Sequence, residues 1–157
     1  MSFNSNAIRI ILRNKKRLER KLKVILTIKG NEIEIEGKEV NIFLTNQVLE
    51  AIDKNFSVKT ALLLTNEDYV FEEINIKSIN KKKSLSSIKS RLIGTKGKTL
   101  KTISNIANCH LALNDNIISI IGPAESIKET TQAINSLIHG SKQSNVYSYL
   151  ERTRRKE

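Results

Sequence analysis

The chain has few of the residues that build disulfides, metal centres or aromatic surfaces. Among its 157 residues are one cysteine, two histidines and no tryptophan, and aromatic residues make up 4%. A lone Cys109 excludes an internal disulfide and a thiolate cluster, and neither His110 nor His139 has a second ligand residue at zinc spacing. We therefore expect no metal and no cofactor. Because no set of nucleophile and base is recognisable either, we do not expect an enzyme.

Long apolar runs and acidic residues are also scarce. No apolar run approaches the roughly 20 residues that span a bilayer, and no signal peptide opens the chain, so we expect a soluble cytoplasmic protein without a membrane partner. Lysine and arginine number 27 against 16 aspartates and glutamates, which gives a formal net charge of +11. Such an excess favours a polyanionic partner. Nucleic acid is the first candidate and an anionic membrane surface is the second.

Glycine is sparse, but two of the six glycines stand three residues apart in the basic run RLIGTKGK, residues 91–98. Without a Cβ, the backbone at Gly94 and Gly97 can approach an anionic group closely. Lys96 and Lys98 add positive charge beside it. A short Gly-x-x-Gly also occurs as an ordinary turn, so the phosphate-binding interpretation depends on the elements that flank the loop.

The first half of the chain predicts strands and helices around one hairpin. The hairpin turns at Gly30-Asn31, and its second strand alternates glutamate with isoleucine, which predicts an acidic outer face that should repel RNA. The basic run before it is either a solvated helix or a contact surface. The predicted elements are a strand at 6–12, a helix at 13–23, strands at 24–29 and 32–36, a long helix with its apolar face at 44–56 and a short helix capped by Ser57.

The second half places the glycine loop between two predicted helices. The first is capped by Ser84 and runs into Gly94, and the second begins after Gly97 with its free N–H groups and positive dipole end at the loop. Asn66-Glu67-Asp68 breaks the pattern before them, so we expect domains at 1–65 and 66–157. The other predicted elements are strands at 70–79, 109–113 and 117–121, a helix from Pro123 to Gly140 and a basic tail helix after Ser141.

The two halves share one layout, in which a strand and a helical segment precede a hairpin, a glycine and a long helix. The halves differ at the loop, because the first contains no glycine before Gly30. If the layout is a true repeat, the first copy has lost its phosphate loop.

The segment IKSRLIGTKGKT, residues 88–99, resembles the core signature of a type I KH module, which binds single-stranded nucleic acid. The resemblance implies an α+β fold with two type I KH-like modules (β-α-α-β-β-α) in tandem, the first degenerate and without a Gly-x-x-Gly loop. Residues 62–64 and 68–70, the loop and the tail at 146–155 narrow the resemblance to the partner-of-Nob-one (Dim two) family of ribosome assembly proteins, in its compact archaeal form. The similarity covers roughly residues 45–156.

This resemblance implies a role and a set of contacts. The family binds near the 3′ end of small-subunit ribosomal RNA in the pre-ribosomal small subunit and assists the endonuclease Nob. Archaeal members keep a glycine loop in the first module, so its absence here leaves RNA contact by that module open and suggests a platform or protein-binding surface. The RNA-binding residues that the resemblance carries onto this chain are Arg91, Gly94, Thr95, Lys96, Gly97, Lys98, Thr99 and Lys101, with the strand at 109–113 as part of the groove floor.

Several alternatives remain at the level of the sequence. Arg91 and Lys101 are either phosphate contacts or solvated surface charges. With no aromatic residue expected in the groove, stacking should not dominate affinity, and backbone contacts with strong salt dependence should. Besides an RNA-binding assembly factor, the chain is compatible with a protein adaptor whose basic tail docks an acidic partner, and with a KH-bearing translation or RNA-decay factor.

Overall fold

The computed structural model describes residues 2–155 and divides into two compact units, Met1–Phe71 and Glu72–Glu157. Both units combine helices with a small antiparallel sheet, which confirms the α+β class. None of the described helices is both long and apolar enough to cross a membrane.

The first unit packs helices around a two-stranded hairpin. Its elements are α1 (Ser5–Arg13), α2 (Lys15–Leu22), β1 (Ile25–Lys29), β2 (Glu32–Glu36), α3 (Glu39–Asp53), α4 (Val58–Ala61) and a 3₁₀ turn at Leu62–Thr65. The predicted hairpin is confirmed, with Ile28 opposite Ile33 in its register. Ile33 is buried while all three glutamates of β2 are exposed, so the outer face of the strand is acidic as expected. Ser57 caps α4 by accepting a hydrogen bond from the N–H of Thr60, which confirms its predicted role.

The strand predicted at residues 6–12 is wrong, because this segment forms helix α1. Asn4 caps the helix, since its side-chain oxygen accepts a hydrogen bond from the N–H of Ala7 at 2.8 Å. Ala7, Ile8 and Ile11 are buried on one face of the helix. Burial of this face outweighs the strand preference of the isoleucines. In place of an opening strand, Ser2 makes one isolated bridge to Glu32.

The second unit contains a three-stranded sheet in the order β3-β5-β4, covered by helices. Its elements are β3 (Tyr69–Asn75), α5 (Ile76–Ile79), α6 (Leu85–Ile93), a 3₁₀ turn at Thr95–Gly97, α7 (Lys98–Ala107), β4 (His110–Asn114), β5 (Ile117–Pro123), α8 (Ala124–Ile138) and α9 (Gln143–Arg155). This is the predicted β-α-α-β-β-α order, followed by the predicted tail helix α9 and with the unpredicted helical turn α5 after β3. The strand predicted at 70–79 is too long, because the side chain of Asn75 caps a helical turn by accepting from the N–H of Lys77.

One apolar core holds the second unit together. It gathers buried side chains from β3, β5 and the four longer helices, among them Leu92, Ile103, Ile120, Ile134 and Leu150, and partly buried residues of β4 pack against it. The core also includes the free thiol of Cys109. Helix α9 adds polar anchors, since the guanidinium of Arg154 donates to the carbonyl groups of Asn105 and Ile106 at the end of α7. Helix α9 thereby holds the C-terminal end of α7 in place.

Candidate nucleic-acid interface

The loop between α6 and α7 has an unusual backbone. Gly94 has φ +71° and ψ −179°, Lys96 has φ +56° and ψ +33°, and Gly97 has φ +73°. Three of its four residues therefore have the positive φ values that L side chains rarely adopt. The N–H of Gly97 donates to the carbonyl of Gly94 at 3.3 Å, which closes the turn.

The two glycines are constrained differently. A Cβ on Gly94 would overlap Oγ1 of Thr99 and lie 2.9 Å from its Cβ, so this position needs glycine for both its φ angle and its packing. A Cβ on Gly97 would meet nothing within 4 Å. The space beside Gly97 is therefore open to an approaching ligand.

The C-terminal end of α6 and the N-terminal end of α7 meet at this loop. Helix α6 begins at its Ser84 cap, whose hydroxyl oxygen accepts from the N–H of Ser87, and ends where the N–H of Gly94 donates to the carbonyl of Ser90. Helix α7 begins at Lys98, and no side chain caps its first turn. The N–H of Lys98 donates to the carbonyl of Thr95, and the positive end of the helix dipole favours an anion at the loop.

A groove of about 570 Å³ runs beside the loop and collects most of the predicted residues. Arg91, Gly94, Thr95, Lys98 and Thr99 line it, and α9 closes it with Gln143 and Tyr147. The predicted residues that do not line the groove are Lys96, Gly97 and Lys101; the two lysines are exposed, and Gly97 is partly exposed in the loop. Thr99 is only 5% exposed, so this residue can offer a ligand little surface.

Arg91 has a structural role that its expected phosphate contact did not include. Its guanidinium donates to the carbonyl of Leu137 at 3.0 Å and to the carbonyl of Ser141. These carbonyl groups belong to the C-terminal end of α8, where a positive charge is favourable. Arg91 therefore ties α6 to the end of α8, and its contact with phosphate stays a prediction.

A family model for the second KH domain of PNO1 proteins, described as a eukaryotic-type KH domain (KH domain type I), matches residues 70–155. This range covers more than half of the chain and includes the whole loop, α6 and α7. The chain belongs to the PNO1 family.

Similar proteins agree with this membership. KH domain-containing protein MJ0443 of Methanocaldococcus jannaschii is 28% identical over 90% of this chain and 66% of its own length. RNA-binding protein pno1 of Drosophila pseudoobscura pseudoobscura is 32% identical over 83% of this chain and 58% of its own length. The chain thus spans about three fifths of the length of these two relatives.

A solved structure shows the same architecture. A chain of the a/eIF2alpha-aDim2p-rRNA complex from Pyrococcus horikoshii OT3 matches with a TM-score of 0.88 and 26% identity, over 100% of this chain and 93% of that chain. The α+β fold with a KH module is therefore shared with a member of a complex that contains ribosomal RNA.

Reasoning from the sequence missed the contribution of α9 to this PNO1-family site. The groove beside the loop is lined by Tyr147 of α9 and by no residue of 109–113, the strand expected to form the groove floor. Tyr147 is separated from the loop by half of the second unit, so no local pattern placed it there. The available signal was the helical spacing of Val146 and Leu150, which are buried in the core and fix the face of α9 that turns toward the loop.

The groove offers cationic side chains, backbone N–H groups and one aromatic ring. These groups bind phosphate and stack on bases. Within residues 2–155, no group of three or more His, Cys, Asp or Glu side chains is placed to hold a metal ion.

Proposed function

We propose that this chain binds single-stranded RNA through the loop at residues 94–97 and the groove beside it. The observation that carries the proposal is the backbone of the loop, where Gly94, Lys96 and Gly97 all have positive φ and open space remains beside Gly97. This turn lies at the start of α7, where no side chain caps the helix and the positive end of the helix dipole favours an anion. KH modules clamp the backbone of about four nucleotides with a loop of this kind.

Some side chains of the site contact phosphates, and others contact bases. Thr95, Lys96 and Lys98 are exposed around the loop and meet the phosphates. Bases then lie toward apolar surface, which Ile93 provides with 40% exposure at the end of α6 and half-buried Leu111 provides on the edge strand β4. Tyr147 supplies one ring for stacking. Affinity should still depend strongly on salt because phosphate contacts dominate this site.

We infer that the RNA is small-subunit ribosomal RNA near its 3′ end, and that the chain acts as an assembly factor in the pre-ribosomal small subunit and assists the Nob endonuclease. Membership of the PNO1 family supports this role. The similar chain solved in a complex with rRNA supports the choice of RNA. The basic charge of +11 is consistent with such a partner.

A protein adaptor is the second candidate function, and one surface favours it. Helix α3 leaves Val40 72% exposed and Phe43 66% exposed, and Phe43 lines a surface groove with Ile33 and Ile35 of β2. Large apolar side chains on a polar surface mark protein contacts more often than RNA contacts. The similar solved complex contains a/eIF2alpha, which is compatible with a protein-binding role in translation.

The double substitution Thr95→Asp with Lys96→Asp tests the proposal. It places two negative charges where phosphate should lie, so affinity for single-stranded RNA from the small-subunit 3′ end should fall at least about tenfold in a titration at fixed salt. The matched control is Lys77→Asp with Ser78→Asp, which makes the same charge change at two exposed positions on α5.

The control should bind within about twofold of the unaltered chain, since surface charges beyond a Debye length are screened. Equal affinity of the loop variant and the control would show that the loop is not the clamp and would favour the adaptor.

A further inference from the structure

The charges of the first unit are segregated along its sequence. Residues 9–23 contain eight lysines and arginines against the single acid Glu19. The rest of the unit, residues 24–71, contains four lysines and arginines against eight acids. A unit whose net charge is only +3 therefore carries one strongly basic segment, formed by α1 and α2.

A groove lies in this segment where the two helices join. It measures about 500 Å³ and is lined by Leu12, Arg13, Asn14 and the cationic side chains of α2, namely Lys15, Lys16, Arg17 and Arg20. The junction occupies the same place in the order of elements as the glycine loop, between two helices that precede a hairpin. A single residue, Asn14, replaces the four-residue loop.

Asn14 leaves the start of α2 uncapped. Its side-chain amide donates to the carbonyl of Ile10 at 2.8 Å, so the amide belongs to α1. No side chain caps the first turn of α2. The N–H groups and positive dipole end of α2 therefore lie beside the same cationic side chains.

Most of the groove cations have no acidic partner. Lys15 lies 3.8 Å from Glu19, whose other carboxylate oxygen accepts from the N–H of Leu26. Within residues 2–155 no ion pair involves Arg13, Lys16 or Arg17. Leu12 is 53% exposed beside them. An apolar side chain ringed by free cations suits a ribose or base held between phosphates.

We propose that this groove, here called the junction groove, is a second binding site for the backbone of single-stranded RNA. The proposal rests on the RNA-binding function proposed above and assigns the first unit a direct part in it. The junction has no glycine, and φ of Asn14 is −110°, so the junction lacks the positive φ values of the loop at Gly94–Gly97. Recognition at the junction groove is carried by side-chain charge, which makes it insensitive to base sequence and strongly dependent on salt.

The proposal makes affinity depend on RNA length. A short strand of about eight nucleotides occupies one site, whereas a flexible strand of about 30 nucleotides reaches a second site on the same chain and gains affinity through effective concentration. The test variant is Arg13→Gln with Lys16→Gln and Arg17→Gln in the full chain. Glutamine keeps a good helix propensity, and all three positions are exposed, so the fold should persist.

The matched control is Lys38→Gln with Lys59→Gln and Lys77→Gln, three exposed lysines outside the junction groove with the same total charge change. Both variants and the unaltered chain are titrated with the short and long RNA over a series of salt concentrations. Circular dichroism verifies that each variant keeps the melting temperature of the unaltered chain.

The test variant should bind the short RNA like the unaltered chain and the long RNA about tenfold more weakly at low salt. Its slope of log affinity against log salt on the long RNA should fall by about 2, since each lost contact to a single strand contributes about 0.7. Photocrosslinking of the long RNA should label the peptide that contains residues 12–17 in the unaltered chain and the control. The control should match the unaltered chain on both RNAs.

The proposal would be overturned if the test variant and the control had the same affinity for the long RNA and the same salt slope. Crosslinks confined to the second unit would also overturn it. A separate result would show that the glycine loop does not bind RNA. In that case the Thr95→Asp and Lys96→Asp variant would bind the short RNA as tightly as the unaltered chain does. The contribution of the junction groove would still be measured by the difference in long-RNA affinity between the test variant and its control.

Discussion

The glycines of the loop predict opposite effects of substitution. Gly94→Ala forces a Cβ into Thr99 at a positive φ, so we expect a loss of about 3 kcal/mol or more in the free energy of unfolding. Gly97→Asn meets open space, and asparagine tolerates left-handed backbone, so its cost should stay near 1 kcal/mol. Denaturant unfolding of both variants measures the difference.

RNA titration of the same variants distinguishes a loss of the folded loop from a side chain that blocks the RNA. The Gly97→Asn side chain projects into the space reserved for the ligand, so it should weaken RNA binding although the protein stays folded. Similar stability of the two variants would contradict the asymmetry between Gly94 and Gly97.

Arg91 and Lys98 line the same groove, but removal of their charges should have different effects on stability and on RNA affinity. Arg91→Gln loses charge-assisted hydrogen bonds to the carbonyl groups of Leu137 and Ser141, so we expect a destabilisation of about 2 kcal/mol. Lys98→Gln removes an exposed charge and should leave stability within about 0.5 kcal/mol. In RNA titrations the order reverses, because Lys98 is free to meet phosphate.

The comparison uses one substitution at two positions, so each variant serves as the control for the other. If Arg91→Gln keeps full stability and loses RNA affinity, Arg91 is a phosphate contact and its bonds to the end of α8 are incidental.

At the scale of elements, sequence reasoning succeeded where a pattern is local. The amphipathic helices α6 and α7, both hairpins and the caps at Ser57 and Ser84 follow from spacing and from residue types within a few positions. Helix α1 was misassigned because three consecutive β-branched or leucine positions outweighed a weaker signal. That signal was Asn4 as an N-cap followed by apolar residues at 7, 8 and 11, a helical spacing.

Contacts between distant elements were not predictable in the same way. The carbonyl groups that hold Arg91 lie 46 and 50 residues further along the chain, so nothing near α6 reveals them. The placement of Tyr147 in the groove likewise depends on how α9 packs, which the buried Val146 and Leu150 decide. The loop could be recognised in the sequence because its glycines and lysines are close together along the chain. The walls of the groove could not, because they come from three separate helices, α6, α7 and α9.

At the scale of the molecule, most of the charge and a complete core belong to the second unit. Residues 72–157 contain 15 lysines and arginines against seven acids, a net charge of +8, while residues 1–71 carry +3. Since long-range attraction of RNA follows this charge, the second unit should keep most of it when separated. Its core draws on its own strands and helices.

We therefore propose that a fragment of residues 66–157 folds alone and binds a short single-stranded RNA within about threefold of the full chain. The fragment begins before β3, so its sheet is complete. It leaves Phe71 without Phe56, whose ring centroid is 6.3 Å away in the first unit, so Phe71→Ser should be included to prevent association through the exposed ring.

Circular dichroism melting and RNA titration measure both properties, and the fragment carrying Thr95→Asp and Lys96→Asp is the control for specific binding. Cooperative melting with short-RNA affinity near that of the full chain would place the clamp entirely in the second unit. A fragment that melts without cooperativity, or that binds more than about tenfold more weakly, would show that the first unit is needed to complete the fold or the site. Since the junction groove adds affinity only for long RNA, the same fragment should also lose the gain that the full chain shows when the RNA is lengthened to about 30 nucleotides.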